Sequence, residues 1–186
     1  MICMTENTSE RLIRAAMDEF CEDGYFATDS NKIARRAGFA PQTFYRWFKD
    51  KTDVFLAAYQ KWSEQELQLL GVLAFENVSA DQVVDIIIKH HRDYVLFRRS
   101  LRQLSVENPV VRQTRAETRL RQMNFIQQRF GLEQKNKGDF FALMFQIERL
   151  ADGLAENEFH DLGVEEIEIR QSMIGLVTHF LNSLEQ

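Results

Sequence analysis

The sequence predicts an all-α protein with about nine helices, and three observations favour that fold class. Only two prolines and eight glycines occur in 186 residues, so few residues interrupt regular helices. Apolar residues recur at intervals of three and four along most of the chain, which is the period of a buried helix face. A hydrophobic content of 45% with a formal net charge of only −5 excludes a disordered chain.

The first helix is predicted over residues 11–20, where apolar side chains fall at positions i, i+1, i+4, i+5 and i+8. A side-chain oxygen of Thr8 or Ser9 is expected to cap its start by accepting a backbone N–H bond. Gly24 follows the helix and can adopt the positive φ that commonly ends one.

Two shorter helices follow, and together they predict a helix-turn-helix at about residues 30–49. The first covers residues 30–37, and either of the two residues before it can act as its N-cap. Gly38 is expected to make the turn. The second begins at Pro41, because proline suits a first helical position, and continues to Phe48. The remaining helices are predicted at about residues 51–72, 81–107, 110–130, 140–159 and 164–184.

Charge is distributed unevenly along the chain. Residues 28–51 contain six basic and two acidic side chains, a net +4, and residues 89–121 contain nine basic and three acidic ones, a net +6. Residues 148–168 contain eight acidic side chains and one basic one, a net −7. The overall acidity therefore does not exclude a nucleic-acid partner for the segment 28–51, which coincides with the predicted helix-turn-helix.

The third predicted helix has the chemistry of a DNA-recognition helix. Phe44, Trp47 and Phe48 stand at i, i+3 and i+4 and are expected to anchor it to the core. Its other side chains then face outward, where the N-terminal ones can lead into a major groove. Gln42 and Arg46 are candidate base readers. The candidates for phosphate contacts are Thr43, Tyr45 and Lys51.

Taken together, these motifs resemble the DNA-binding domain of the TetR family of bacterial transcriptional regulators over about residues 9–58. The residues that carry the resemblance are Gly24-Tyr25, Thr28, Ile33-Ala34, Ala37-Gly38, Thr43-Phe44-Tyr45, Trp47-Phe48 and Lys51. The resemblance implies a homodimer that binds a palindromic operator, usually as a repressor, and leaves it when a small-molecule effector binds the C-terminal domain. It also implies DNA contacts at the positions of Thr28, Ser30, Pro41, Gln42, Tyr45, Arg46 and Lys51.

The resemblance divides the chain into a DNA-binding domain at residues 1–50 and a ligand-binding and dimerisation domain at residues 51–186. Three positions depart from the family pattern. Ser30 stands where an apolar residue is frequent, Ala40 lacks the usual hydroxyl cap for the third helix, and Gln42 replaces a frequent glycine. These departures leave the predicted fold intact and put the operator sequence in doubt.

Two sets of apolar residues are candidates for further sites in the C-terminal domain. An effector pocket, which is usually apolar and aromatic, is predicted from Tyr94, Phe97, Phe125, Phe140 and Met144. A dimer interface is predicted from a seam-like spacing in the last helix and an apolar face on the preceding one, and its members are Phe141, Phe145, Met173, Val177, Phe180 and Leu184. Either set can instead belong to an intramolecular core.

Two alternative functions remain open. The segment 89–121 would suit an anionic effector or a protein partner, and an ion-paired solvated face also explains it. A stripe that recurs every four residues would suit a metal-dependent helical enzyme, or a solvated acidic face, and it consists of Glu148, Asp152, Glu156 and His160. No nucleophile–base set or phosphate-binding glycine loop accompanies the stripe, so no enzyme activity, metal or cofactor is expected.

Cysteine content and hydropathy limit the kinds of site and the cellular location that the sequence predicts. Cys3 and Cys21 are too few for a disulfide framework or a zinc site. No apolar run approaches the roughly 18 residues of a membrane span, so no membrane partner is expected. The protein is expected in the cytoplasm, with translation starting at Met1 or Met4. His91 falls on an apolar stripe and is expected to be a core histidine.

Overall fold

The computed structural model describes residues 7–73, 78–129 and 137–182 and confirms the all-α fold. Within those residues the chain forms ten helices and no strand. The helices are α1 Thr8–Glu22, α2 Ser30–Arg36, α3 Pro41–Phe44, α4 Lys51–Leu73, α5 Ala80–Asp93, α6 Val95–Glu107, α7 Pro109–Arg129, α8 Lys137–Ala155, α9 Glu158–Asp161 and α10 Glu166–Asn182. None of the described helices is long and apolar enough to cross a membrane.

The cap of α1 is Asn7, so the prediction of Thr8 or Ser9 was wrong by one position. The Asn7 side chain accepts a bond of 2.9 Å from the backbone N–H of Glu10. In return, Glu10 Oε2 accepts a bond of 3.0 Å from the backbone N–H of Asn7. This reciprocal capping box satisfies two N–H groups that the first helical turn leaves without partners.

Helices α2 and α3 form the predicted helix-turn-helix, although α3 is shorter than expected. The Asp29 side chain caps α2 by accepting a bond of 2.8 Å from the Lys32 N–H. Gly38 makes the turn at a φ of +78°, where residues with a Cβ are strained. Pro41 begins α3, and Ala40 provides no side-chain cap. The helix ends at Phe44, four residues before the predicted end, and the chain continues in turns.

Three differences appear in the C-terminal half. The predicted single helix over 81–107 is interrupted at Tyr94, whose φ of −120° and ψ of 22° are not helical. The helix predicted to start at Phe140 begins three residues earlier, at Lys137, and a short extra helix, α9, follows it after Asn157. Asn157 has a φ of 61°, a conformation that asparagine tolerates better than most residues with a side chain.

The chain divides into two compact units. The first unit extends to Gln65 and adds Leu96–Thr118, and the second comprises Glu66–Val95 and the chain from Arg119 onward. Aromatic side chains build the core of the first unit, and Phe55 lies 5.1 Å from both Phe20 and Phe97 between ring centroids. The functional boundary placed after residue 50 stays a prediction.

The core of the second unit is mainly aliphatic. Its buried members come from α5, α8 and α10, and partly buried apolar side chains surround them. These members are Val84, Ile88, Ile147, Ala151, Leu154, Met173 and Val177. Burial of this apolar surface holds the three helices together.

Candidate nucleic-acid interface

Helix α3 is fixed to the first unit by two aromatic anchors rather than three. Phe44 and Phe48 are buried, with ring centroids 5.7 Å apart. Trp47 is 50% exposed, so the prediction that it anchors the helix was wrong. The prediction assumed helical spacing through residue 48. The helix stops at Phe44, and the Arg46 N–H bonds to the Thr43 carbonyl, only three residues back, which changes the direction of the following side chain.

The outward surface of α3 presents the side chains proposed to contact DNA. Gln42 and Arg46 are exposed, and Tyr45 is 60% exposed. Pro41 and Thr43 are partly exposed on the same short segment. An amide, a guanidinium and a phenol on one small projection can donate hydrogen bonds to base edges and phosphates.

Ser30 and Tyr45 join the two helices of the motif. Their hydroxyl oxygens lie 2.8 Å apart, and either can be the donor. The Tyr45 ring also packs edge-on against Phe44, with centroids 5.3 Å apart. The structure therefore brings together two of the residues that the sequence assigned to DNA contact, through a bond that their separation in the sequence does not reveal.

Thr28 has a structural role that the sequence did not reveal. Its side chain is buried, and Oγ1 donates a bond of 2.9 Å to the carbonyl of Gly24. This bond closes the turn between α1 and α2, in which Gly24 adopts a φ of +76°. A DNA contact by the Thr28 hydroxyl would compete with this bond. The observed role of Thr28 is to stabilise the turn that precedes α2.

Lys51 supports the same turn from the start of α4. Its Nζ donates to the carbonyls of Tyr25 at 2.7 Å and Thr28 at 2.8 Å, and it lies 4.1 Å from the centroid of the Tyr25 ring. Burial lowers the pKa of the Lys51 ammonium, although the nearby Asp29 carboxylate opposes that effect. Two of the three ammonium protons are thus used within the protein, which leaves one further donor on Lys51.

Acidic residues of α1 neutralise part of the basic charge around the motif. Arg36 makes ion pairs with Asp18, Glu19 and Glu22, and its bond to Glu22 holds the pKa of that carboxyl below its usual value. Lys32 pairs with Asp23 at 3.2 Å. Arg35, Arg46 and Lys49 of the segment 28–51 are exposed, as is Arg36 with its ion pairs.

Arg11 is a further supporting residue that sequence reasoning missed. Its Nη2 donates a bond of 2.7 Å to the Ala37 carbonyl, and its guanidinium lies 4.5 Å from the centroid of the Phe39 ring. Arg11 therefore clamps the turn of the helix-turn-helix to α1. The arginine stands beside the apolar stripe of α1, and nothing in its spacing indicates a partner 26 residues away.

The residues predicted to line an effector pocket fall into different surroundings. In the second unit, Phe140 is buried in a cluster with Met123, and Met144 packs against it. Tyr94 lies beside His90, with ring centroids 4.9 Å apart, and Phe125 is partly buried. Phe97 belongs to the first unit, where it is fully buried in the aromatic core. The pocket itself stays a prediction.

The residues predicted to form a dimer interface differ in how deeply they are buried within a single chain. Met173 and Val177 are 0% and 4% exposed within a single chain and lie in the core of the second unit. Phe141 and Phe180 are partly buried beside Phe140. Phe145 is 43% exposed. Leu184 lies outside the described residues, and dimerisation stays a prediction.

Two acidic residues of the stripe, Asp152 and Glu148, interact with basic side chains of the same protein. Asp152 Oδ1 lies 2.8 Å from Nδ1 of His91, and Glu148 forms an ion pair with Arg119. The burial of His91 confirms that it is a core histidine. In the part of the chain that the structure describes, no group of three histidine, cysteine or acidic side chains could hold a metal ion.

A second polar contact in this unit connects α4, α5 and α7. Oε1 of Glu66 lies 2.8 Å from Nε2 of His90, and Oε2 accepts a bond of 2.9 Å from the Gln122 side chain. All three side chains are partly buried. One carboxylate thereby links the C-terminal half of α4 to two other helices.

Comparisons with known proteins agree with this geometry. Residues 12–58 match the family model of bacterial regulatory proteins of the TetR family. The fatty acid metabolism regulator protein of Bacillus subtilis (strain 168) is 28% identical over 81 residues, which cover 44% of this chain and 42% of that protein. The match therefore spans less than half of the curated relative.

Solved structures are similar over nearly the whole chain. GusR of Salmonella enterica has a TM-score of 0.70 at 19% identity, covering 96% of this chain and 98% of its own. FadR of Bacillus subtilis in complex with stearoyl-CoA has a TM-score of 0.64 at 22% identity, covering 90% and 96%. A putative regulator of Saccharomonospora viridis in complex with choline has a TM-score of 0.71 at 17% identity, covering 92% and 95%. At these identities the similarity shows the fold alone.

The helix-turn-helix, its matching family model and the shared all-α fold agree with one another. Residues 12–58 match the TetR family of bacterial regulatory proteins, and the chain shares its all-α fold with a putative TetR-family regulator of Mesorhizobium loti.

Proposed function

We propose that this protein is a homodimeric repressor in the bacterial cytoplasm, which binds a palindromic operator through its helix-turn-helix and leaves it on binding a small-molecule effector. One observation carries the DNA-binding part. Helix α3 is anchored by buried Phe44 and Phe48, while Gln42, Tyr45 and Arg46 are exposed together. A short helix held in this way can enter a major groove, and two copies related by a two-fold axis match a palindrome.

The proposal is tested by selecting bound fragments from a pool of random-sequence duplex DNA. The wild-type protein should enrich a palindromic consensus, and Gln42→Ala or Arg46→Ala should relax one position in each half-site, because each removes a candidate base reader. Arg121→Ala is a matched control, since it removes an exposed arginine from the second unit. A wild-type protein that enriches no sequence would contradict the proposal.

An acyl-CoA thioester is the first effector to test. The curated relative is a fatty acid metabolism regulator, and one similar structure is a complex with stearoyl-CoA. The second unit also contains apolar side chains that could contact an acyl chain, among them Met123, Phe140, Phe141, Met144 and Phe180.

The effector experiment measures release of the selected duplex by fluorescence anisotropy. Stearoyl-CoA should release the DNA, whereas coenzyme A without the acyl chain should not, because the chain supplies the apolar surface to be buried. Choline is an informative comparison, since a similar structure contains it. Release by choline and not by stearoyl-CoA would replace the acyl-CoA proposal with a cationic effector and leave the DNA-binding proposal unaffected.

A further inference from the structure

The contact between Ser30 and Tyr45 gives the DNA-binding surface an arrangement of hydroxyl groups that its composition does not show. Ser30 is the first residue of α2, and Tyr45 directly follows α3. Their hydroxyl oxygens are 2.8 Å apart. The Tyr45 ring rests edge-on against Phe44, which is fully buried. The phenol is therefore supported at its ring by the core and at its tip by Ser30, while the residue remains 60% exposed.

The proton count of this pair determines what it can bind. Two hydroxyl groups carry two protons, and the bond between them uses one. The other proton is left to donate to an outside acceptor, whichever oxygen donates within the pair. A hydroxyl that donates outward while it accepts a bond within the pair is also a stronger donor, because chained hydrogen bonds polarise one another. Phosphate oxygens are the acceptors that a DNA backbone offers.

We propose that Ser30 is a positioning residue for Tyr45: its hydroxyl donates to the phenol oxygen, and the phenol donates to one DNA phosphate. This inference rests on the proposed DNA-binding function and adds to it. Ser30 then acts mainly through Tyr45, although its position alone suggested a separate DNA contact. Loss of either hydroxyl should remove most of the contribution of both, because the bond that orders the phenol and polarises its proton is lost in either case.

The test is a double-mutant cycle in the full-length protein, with a duplex that the wild-type protein has selected from a random pool. Ser30→Ala and Tyr45→Phe should each weaken binding by about tenfold, as expected for a hydrogen bond to a charged group. The double variant should also lose about tenfold, rather than the hundredfold of two independent contacts. Ser30→Thr keeps a hydroxyl at this position and should therefore bind with most of the wild-type affinity, unlike Ser30→Ala.

Two further measurements separate positioning from a general effect on the fold. The slope of log affinity against log salt should not change in these variants, because no cation is removed and the number of released counterions is the same. The thermal unfolding midpoint should stay close to that of the wild type, since the pair lies at the surface. Ser172→Ala removes an exposed serine hydroxyl from α10 and should leave DNA affinity unchanged.

The possible outcomes each decide the proposal. A coupled loss with rescue by threonine supports it. Additive losses would show two independent contacts and overturn it, and unchanged affinity in Tyr45→Phe would overturn it as well. If the wild-type protein selects no duplex, the proposed function fails at that earlier step, and the two failures are therefore distinguishable.

Discussion

Nδ1 of His91 lies 2.8 Å from Oδ1 of Asp152, and both side chains are almost fully buried. The contact joins α5 to α8 inside the second unit, among aliphatic side chains. Arg149 reaches the other oxygen of the Asp152 carboxylate at 3.6 Å. A buried carboxylate with these partners makes the packing of α5 against α8 sensitive to the loss of either partner.

Removing the carboxylate of this pair should destabilise the protein strongly. We expect Asp152→Ala to lower the free energy of unfolding by about 3 kcal/mol, since it removes one member of a buried polar pair. Urea unfolding followed by circular dichroism measures the change. Asp161→Ala is the control, because Asp161 is 79% exposed and should cost about 0.5 kcal/mol or less. Equal effects of the two substitutions would argue against a structural role for the buried pair.

Lys51 should contribute to both stability and DNA affinity. Lys51→Met keeps the aliphatic stem and removes the ammonium that binds the Tyr25 and Thr28 carbonyls. We expect the free energy of unfolding to fall by about 2 kcal/mol, since charged hydrogen bonds are lost. Binding to every DNA sequence should weaken to a similar degree, and the salt slope should fall by about one if Lys51 contacts a phosphate.

Lys49→Met is the matched control for Lys51. Lys49 is an exposed lysine two residues away, so its loss should leave the free energy of unfolding unchanged. If both variants unfold at the wild-type urea concentration, the two carbonyl bonds of Lys51 contribute nothing measurable. An unchanged salt slope in Lys51→Met would remove its phosphate role.

A Cβ at Gly38 should disturb the turn of the helix-turn-helix in two ways. The φ of +78° strains alanine, and an added Cβ would lie 3.0 Å from Nη2 of Arg11, which holds the Ala37 carbonyl. Gly163→Ala is the matched control, because its φ is +72° and nothing lies within 4 Å of an added Cβ. We expect a loss of about 1 kcal/mol at Gly163 from strain alone and a larger loss at Gly38. Equal losses would show that Arg11 accommodates the methyl group.

The acid stability of the first unit should depend on Asp29. The bond from the Lys32 N–H lowers the pKa of the Asp29 carboxyl below its ordinary value of 3.8. A lowered pKa in the folded state means that the stabilisation is present above the ordinary value and is lost as the pH falls through the folded value. Asp29→Ala should therefore cost about 1 kcal/mol at pH 7 and less at pH 2. A pH-independent difference between variant and wild type would contradict this account.

Phe145 is the residue of the predicted interface on which a dimerisation test should concentrate. It is 43% exposed on α8, and the Arg119 guanidinium lies 4.1 Å from the centroid of its ring. We expect Phe145→Glu to shift a dimer to monomer in sedimentation velocity with little change in helix content, because it places a charge in an apolar contact. Val106→Glu is the control, since Val106 is 82% exposed in the first unit. If the wild-type protein is a monomer, there is no two-fold axis to match a palindromic operator, and that part of the proposal is wrong.

The sequence determined the helical class, the helix-turn-helix and the outward residues of α3, because these depend on local spacing, glycine and proline. Helix ends were less accurate, as at Asn7 and Phe44, since caps and turns depend on single side-chain bonds. Spacing also misplaced Trp47, because its direction depends on where α3 stops.

Only the tertiary structure decided which polar side chains meet. Arg11 and Ala37, Ser30 and Tyr45, and His91 and Asp152 are separated by 26, 15 and 61 residues, and no periodic pattern records such pairs. The sequence predicts DNA contacts for Thr28 and Lys51, and the fold shows that both side chains hold the turn before α2. Local pattern thus fixed which surface can face DNA, whereas long-range hydrogen bonding fixed how that surface is held.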